Sequence, residues 1–191
     1  MGLLILTDLV SFSFMALLRK YIIITFLFNL ALGNTKSIKV GDSAPIINLF
    51  QLNTENYFRS KELIGKKNIV ISFFGTWCAP CKKEIPELQK LYDTLDKDDY
   101  EFLLICVSNI KPPGSSVPYI EKPATINQFI NNLKVSIPVL LDKYSISWSK
   151  YNSDGSFPLT VVINKEGKIS YHKHGYEDGD EKILKKHLLK L

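Results

Sequence analysis

Residues 68–88 read NIVISFFGTWCAPCKKEIPEL. The stretch opens with Asn68 to Phe74, a continuous apolar run with β-branched members, the pattern of a strand buried on both faces. It continues into KKEIPELQKLYDTL, where Ile85, Leu88, Leu91, Tyr92 and Leu95 recur at helical spacing. Between strand and helix lies GTWCAPC, residues 75–81, with Cys78 and Cys81 two residues apart around Ala79 and Pro80. Such a pair has three chemistries open to it: half of a zinc site, a structural disulfide, or a dithiol that opens and closes.

The position of the pair separates them. Cys78 falls at the start of the helix, where unpaired backbone N–H groups and the positive end of the dipole favour a thiolate. Helix N-termini and C-x-x-C motifs lower a thiol pKa from its ordinary value of about 8.5, and the thiolate is the attacking species in disulfide exchange. Cys81, one turn on, is placed to resolve a mixed disulfide, and Pro80 stiffens the turn without adding an N–H that needs a partner. Zinc needs two further ligands. Cys106 stands alone in an apolar run and reads as a small core residue, while His172 and His174 read as exposed strand histidines. A disulfide closing so short a loop constrains little of the unfolded chain. The pair therefore reads as redox-active, with no metal and no bound cofactor.

Composition fits one globular domain with extra segments: 191 residues, 46% hydrophobic and 23% charged. The net charge of +5 comes from scattered lysines, a solvated basic surface rather than a nucleic-acid face. Three cysteines are too few for a disulfide-stapled scaffold. The N-terminus is different. From Met15, MALLRK is a basic segment, YIIITFLFNLAL an apolar one, and Ala31 and Gly33 supply small residues before a cut expected between Gly33 and Asn34. Residues 1–33 read as a signal peptide, or as an N-terminal anchor and membrane tether if uncleaved, with translation starting at Met15. The protein is then exported, periplasmic or anchored facing outside the cytoplasm.

Residues 34–45 read as a polar linker and 46–191 as the folded domain. EFLLICV (101–107) is a second buried strand. A Pro- and Ser-rich stretch of about eighteen residues follows, a loop length often tied to function. Thr125 and Gln128 suggest a capping box for a helix over 126–133. SIPVLLD reads as a strand, FPLTVVINKEGKISYHKH as a hairpin turning at 165–168, and DEKILKKHLLKL as an amphipathic helix with Ile183, Leu184, Leu188 and Leu191 inward. The order β-α-β-α-β-β-α predicts an α/β sheet with helices on both faces.

FFGTWCAPCKKEIPEL, with VGDSAPIINL before it and IPVLLD and FPLTVVINKEGKI after it, resembles the TlpA/ResA-like thiol-disulfide oxidoreductases, exported members of the thioredoxin superfamily. The resemblance spans roughly residues 40–191. It implies a thioredoxin-like three-layer sandwich with a central mixed sheet. It implies that Cys78 is the exposed attacking cysteine and Cys81 the resolving one, that Trp77 flanks the site, and that Pro86 is the kink proline of the first helix. Glu84 matches an acid implicated in thiol proton chemistry, against the simpler alternative of a solvated glutamate. Pro158 matches a proline preceded by a cis peptide bond, which would let Phe157 offer backbone groups to a docked chain. The implied partners are protein disulfides, apocytochrome c thiols among them, and a membrane thiol donor of electrons.

The sequence departs from the family at Ala79, where some relatives carry an acid, and at Ser72, where thioredoxin has a buried aspartate, so that proton relay is expected to be missing. Leu159 follows Pro158 in place of the usual threonine, and the loop at 111–123 is long. Other readings on this fold are a Sco-type copper carrier, disfavoured by two rather than three intervening residues; a peroxiredoxin, disfavoured by Gly75 in place of Thr or Ser; and a redox-inactive binding module.

Overall fold

The structure, a computed structural model, describes residues 18–23, 25, 38–112, 114–115, 120–152 and 155–191. The readings placed on Met15 and on the Gly33–Asn34 cut lie outside the described residues. The chain divides into two units, Met1–Lys36 and Ser37–Leu191. In the first, residues 18–23 and 25 are helical. Among the described residues no helix is long and apolar enough to cross a membrane.

Among the described residues the second unit holds seven strands: β1 (Asn48–Gln51), β2 (Tyr57–Arg59), β3 (Asn68–Phe74), β4 (Tyr100–Cys106), β5 (Val139–Leu141), β6 (Leu159–Ile163) and β7 (Ile169–His174). Its helices are α1 (Ala79–Thr94), α2 (Pro123–Asn132), α3 (Ile146–Tyr151) and α4 (Asp180–Leu188). The strands make one mixed sheet in the order β2-β1-β5-β4-β3-β6-β7. β3, β4 and β5 run parallel, β6 pairs antiparallel with β3, and β7 antiparallel with β6.

Side chains alternate across each strand, so β3 feeds two cores. Val70 and Phe74 join Ile85 and Leu88 of α1, Ile126 and Phe129 of α2, and Leu184 and Leu188 of α4. Ile69, Ile71 and Phe73 face the other way, onto Ile47, Leu49, Trp148 and Tyr151. The fold is the expected three-layer α/β sandwich, with three helices on one face and short α3 on the other.

The elements that escaped the sequence are short. β1 buries one of its four residues and β2 none, so alternation has nothing to repeat on. α3 has six residues, too few for a helical period, and rests on a local hydrogen-bond trap: the Asp142 carboxylate accepts from Ile146 N (2.9 Å) and Trp148 N (2.7 Å). Two expectations are corrected. α2 begins at Pro123, with Lys122 as N-cap and no side-chain cap bond; proline supplies the start, since its missing N–H is one the first turn leaves unpaired anyway. Thr125 is thus inside the helix and caps nothing. On α4, Leu184 and Leu188 are buried while Ile183 is 59% exposed, and Leu191, beyond the helix, is 46% exposed, so the apolar face is narrower than the pattern implied.

Part of the stretch read as a linker pairs with the β6–β7 hairpin. Gly41 N donates to Ile169 O (2.8 Å), Ile169 N to Asp42 O (2.9 Å) and Ala44 N to Gly167 O (2.9 Å). The Tyr151 hydroxyl donates to the Pro45 carbonyl.

The long loop after β4 is closed at its neck, where Glu121 N donates to Ser108 O (2.6 Å). Glu121 itself is buried. Its carboxylate accepts from Thr76 N (2.8 Å), Thr76 Oγ1 (2.7 Å) and Cys106 Sγ (3.1 Å). The far end of the loop therefore holds the turn that carries the cysteines. Burial, and then the adjacent Glu121 carboxylate, pushes the Cys106 thiol well above its ordinary pKa, keeping it a protonated donor and a poor nucleophile.

Two stability differences follow. Leu188→Ala removes a fully buried side chain and is expected to cost about 2–5 kcal/mol, whereas Ile183→Ala should stay within about 0.5 kcal/mol; urea unfolding distinguishes them. Glu121→Ala removes the acceptor for Thr76 N, Thr76 Oγ1 and Cys106 Sγ and should cost about 1–3 kcal/mol, with Cys106 becoming more open to alkylation in the folded protein. Wild-type stability and an unreactive Cys106 in that variant would show that the carboxylate does not hold the turn.

Candidate active site

β3 ends at Phe74 and α1 starts at Ala79, so Gly75–Cys78 form a tight turn at the C-terminal edge of the central strand. Gly75 carries no unusual backbone angle, but a Cβ there would lie 3.0 Å from Cε2 and Nε1 of Trp77, a tight contact that the indole would have to yield to by a few tenths of an ångström. The ring is held over the turn by Nε1–H donating to the Ile110 carbonyl (3.1 Å) and by an edge contact with Phe157, ring centres 5.6 Å apart. Phe157 stacks in turn on Trp148 at 4.2 Å, and Trp148 packs on Phe73 at 5.7 Å. An aromatic wall thus runs from the motif to the core beneath it.

Cys78 and Cys81 are joined as a disulfide, their Cα atoms 5.3 Å apart. Cys78 is the N-cap of α1, and its sulfur accepts from Cys81 N (3.2 Å). That bond places Sγ among the unpaired N–H groups of the first turn, the environment that stabilises a thiolate once the disulfide opens. Ala79 and Pro80 are the first two helical residues, and Pro86 lies inside α1. The expectation of an exposed attacking cysteine is corrected in degree: Cys78 is 3% and Cys81 0% exposed in the disulfide form. Both sulfurs belong to the core cluster against which Trp77 and Phe157 pack. Phe157–Pro158 is a cis peptide.

Glu84 is not solvated. It lies inside α1, a turn beyond Cys81, and is 5% exposed. Its carboxyl group accepts from Ser72 Oγ (2.6 Å) on β3 and Thr160 Oγ1 (2.5 Å) on β6. Burial pushes it from the ordinary 4.5 up to about 7, against the opposing pull of those two hydroxyls. Ser72 therefore does not leave the site without a buried acid; the carboxyl comes from the helix and the strand supplies its hydroxyl partner.

His172 and His174 face the same way, ring centres 5.0 Å apart. His172 Nε2 lies 3.1 Å from Tyr151 O, and His174 Nδ1 3.3 Å from Ser156 Oγ. Among the described residues no group of three or more His, Cys, Asp or Glu could hold a metal.

Sequence reasoning missed Glu121, Thr160 and Trp148. Glu121 lay at the end of a Pro-rich stretch and looked like loop surface. Thr160 was one residue in a hydrophobic strand, though a lone hydroxyl between Leu159 and Val161 was a usable signal. Trp148 sat in a segment that carried no recognised element.

The sequence model of the Redoxin family matches residues 39–188. The thiol-disulfide oxidoreductase ResA of Geobacillus kaustophilus is 29% identical over 133 residues, 70% of this chain and 68% of the relative. ResA of Bacillus subtilis is 29% identical over 143 residues, 75% of this chain and 72% of the relative. Among solved structures, the thioredoxin domain of a thiol-disulfide oxidoreductase from Bacteroides vulgatus superposes with a TM-score of 0.62 at 21% identity, covering 80% of this chain and 99% of that one. The exposed lipoprotein thioredoxin of Streptococcus pneumoniae gives 0.59 at 23%, covering 77% and 100%; at these identities the likeness is one of fold. With the Redoxin match running through nearly the whole second unit, the chain belongs to the Redoxin family, and within it to the ResA/TlpA-like thiol-disulfide oxidoreductases.

Proposed function

We propose that the protein reduces specific disulfides of extracytoplasmic proteins, with Cys78 as nucleophile, Cys81 as resolving thiol and Glu84 as the proton acceptor for Cys81. The seat of Cys78 at the N-terminus of α1, with Glu84 buried one turn past Cys81, is the observation that carries the reading. In the reduced protein the Cys78 thiolate attacks one sulfur of the substrate disulfide. A Cys78–substrate mixed disulfide forms and the first substrate thiolate leaves. The Cys81 thiol passes its proton to the Glu84 carboxylate, and the resulting thiolate attacks Cys78 Sγ. The Cys78–Cys81 disulfide forms and the second substrate thiolate departs. Two electrons have moved to the substrate, whose thiolates take their protons from water. Glu84 then returns its proton to solvent.

Trp77, Phe157 and Pro158 make the docking edge in this reading, and Ala79 and Pro80 shape the turn around the sulfurs. Residues 1–33 serve as the export signal or anchor, 34–45 as the lead-in and 46–191 as the catalytic domain. Outside the cytoplasm the dithiol is kept reduced by a membrane thiol donor, and apocytochrome c thiols are one fitting substrate class. The copper-carrier reading has less support, since the described residues bring no third ligand to the sulfurs.

Redox titration with thiol trapping is expected to show a reversible two-electron couple, and Cys81→Ser to accumulate substrate as a mixed disulfide on Cys78. A reduced Cys78 inert to alkylation at neutral pH would overturn the mechanism. Glu84→Gln should slow resolution of the mixed disulfide by about 10²-fold while leaving Cys78 attack nearly intact, as single-turnover kinetics would read.

Glu84 also couples stability to pH. Its folded pKa lies above its unfolded one, so its contribution is fully present below about 4.5 and is lost as pH rises through about 7. The loss corresponds to about 3 kcal/mol. Unfolding measured at pH 5 and pH 8.5 should show this loss in the wild type and not in Glu84→Gln; the same pH dependence in both would refute it.

A further inference from the structure

Glu84 forms part of a narrow cleft that runs away from the sulfurs. The cleft lies between α1 and α4 over the β6–β7 hairpin, and Glu84, Thr160, Tyr171, Lys173 and Asp180 line it, while Trp77, Cys78, Phe157 and Pro158 do not. Its volume of ≈ 10 Å³ admits about one water. Lys173 lies directly across the ladder from Thr160, the strand residue that donates to Glu84, so the ammonium-bearing chain emerges beside the buried carboxyl. Lys173 Nζ pairs with Asp180 Oδ1 at 2.7 Å, with side chains 32% and 12% exposed. The other Asp180 oxygen accepts from Glu177 N (2.8 Å), which fixes Asp180 at the first position of α4.

We propose that the Lys173–Asp180 ion pair is a positioning element that adjusts the proton affinity of Glu84 from the face opposite the substrate. This rests on Glu84 being the proton acceptor for Cys81. The two charges act with opposite sign on the same carboxyl: Asp180 opposes its ionisation and Lys173 favours it. Held together at 2.7 Å, they largely cancel; with one removed, the charge of the other acts on Glu84 uncompensated. Burial and the two hydroxyls act more strongly on Glu84, but among the groups facing it the pair supplies the two opposed charges. Ser72 and Thr160 are its hydroxyl donors. Burial raises the Tyr171 phenol to about 12, keeping it neutral. Tyr176 donates to Glu181 (2.9 Å), which occupies that carboxylate, and Glu87 is engaged by Lys90 (2.7 Å).

The consequence for turnover is a division of faces. Substrate covers Cys78 along the edge made by Trp77 and Phe157, while the charge balance that adjusts Glu84 lies on the α1–α4 side. A docked substrate then leaves the tuning of the acid untouched.

The test uses the full folded domain, labelled with carboxyl ¹³C glutamate, with the Glu84 resonance assigned by its loss in Glu84→Gln. Asp180→Asn leaves Lys173 unpaired and should lower the Glu84 titration midpoint. Lys173→Met leaves Asp180 unpaired and should raise it. Each change is expected to be at least about threefold in proton affinity. Lys173→Arg should restore the wild-type midpoint, which a merely structural role for the pair would not predict, and the single-turnover pH profile of Cys81 resolution should move with each midpoint. Midpoints unchanged in both variants, or moved in the same direction, would overturn the inference. If the midpoints move oppositely while the resolution profile stays fixed, the ion pair governs Glu84 and the assignment of Glu84 as acceptor for Cys81 is what fails. If the profile vanishes in Glu84→Gln and ignores both pair variants, the assignment stands and the inference is lost.

Discussion

The buried carboxyl of Glu84 ties together the three elements on which the site depends. Ser72 on β3 and Thr160 on β6 both donate to it from the sheet, while its own backbone belongs to α1. The helix that carries the cysteines is thus locked in rotation and height against two strands. A carboxyl in such a place has a desolvation cost that two hydroxyls offset only in part, which is why burial still dominates its pKa. Stability and proton chemistry meet in the same group: the feature that fixes the helix also leaves an acid poised near neutrality within a turn of a thiol.

A second buried carboxyl holds the other side of the motif. Glu121 grips Thr76 through both its backbone N–H and its hydroxyl, and the same group accepts from Cys106. With Trp77 bonded to Ile110, the loop after β4 is fastened to the turn at both ends of its neck. Its Pro-rich character does not make it a detached insert. Cys106, beneath the motif, is thereby kept as a neutral donor rather than a competing thiolate. Of the chain's three cysteines, Cys78 and Cys81 are joined as a disulfide and Cys106 is a free, buried thiol.

Legibility in the sequence followed the length of the pattern. β3, α1, β4 and the β6–β7 hairpin each carry a run long enough to express a period, and all were readable. β1, β2 and α3 were not: β1 and β2 bury one residue between them and α3 is too short for a helical period, whereas β5, equally short, is marked by its apolar run. α2 was placed with the wrong cap, since Thr125 and Gln128 fit a pattern that Pro123 pre-empts. The pair Cys78–Cys81 was readable as chemistry because both residues lie in one local stretch, a strand end and a helix start. Glu84 was readable as a candidate but not as buried, since a polar residue on a helix looks solvated until its partners on other elements are known.

What the sequence by itself determined is local: a buried strand, a helix beginning at the cysteines, and hence a dithiol seated on backbone N–H groups. These follow from periodicity and from groups a few residues apart. What the tertiary structure decided is every contact that closes over long separations: Glu84 with Thr160, Glu121 with Thr76, Trp77 with Phe157, Lys173 beside Thr160. Such pairings depend on which strands neighbour which, and strand order is set by the packing of the whole core rather than by any one segment. The buried carboxyl near the cysteines comes from α1, with Ser72 on β3 as its hydroxyl partner, and that exchange becomes visible when the two elements are laid against each other.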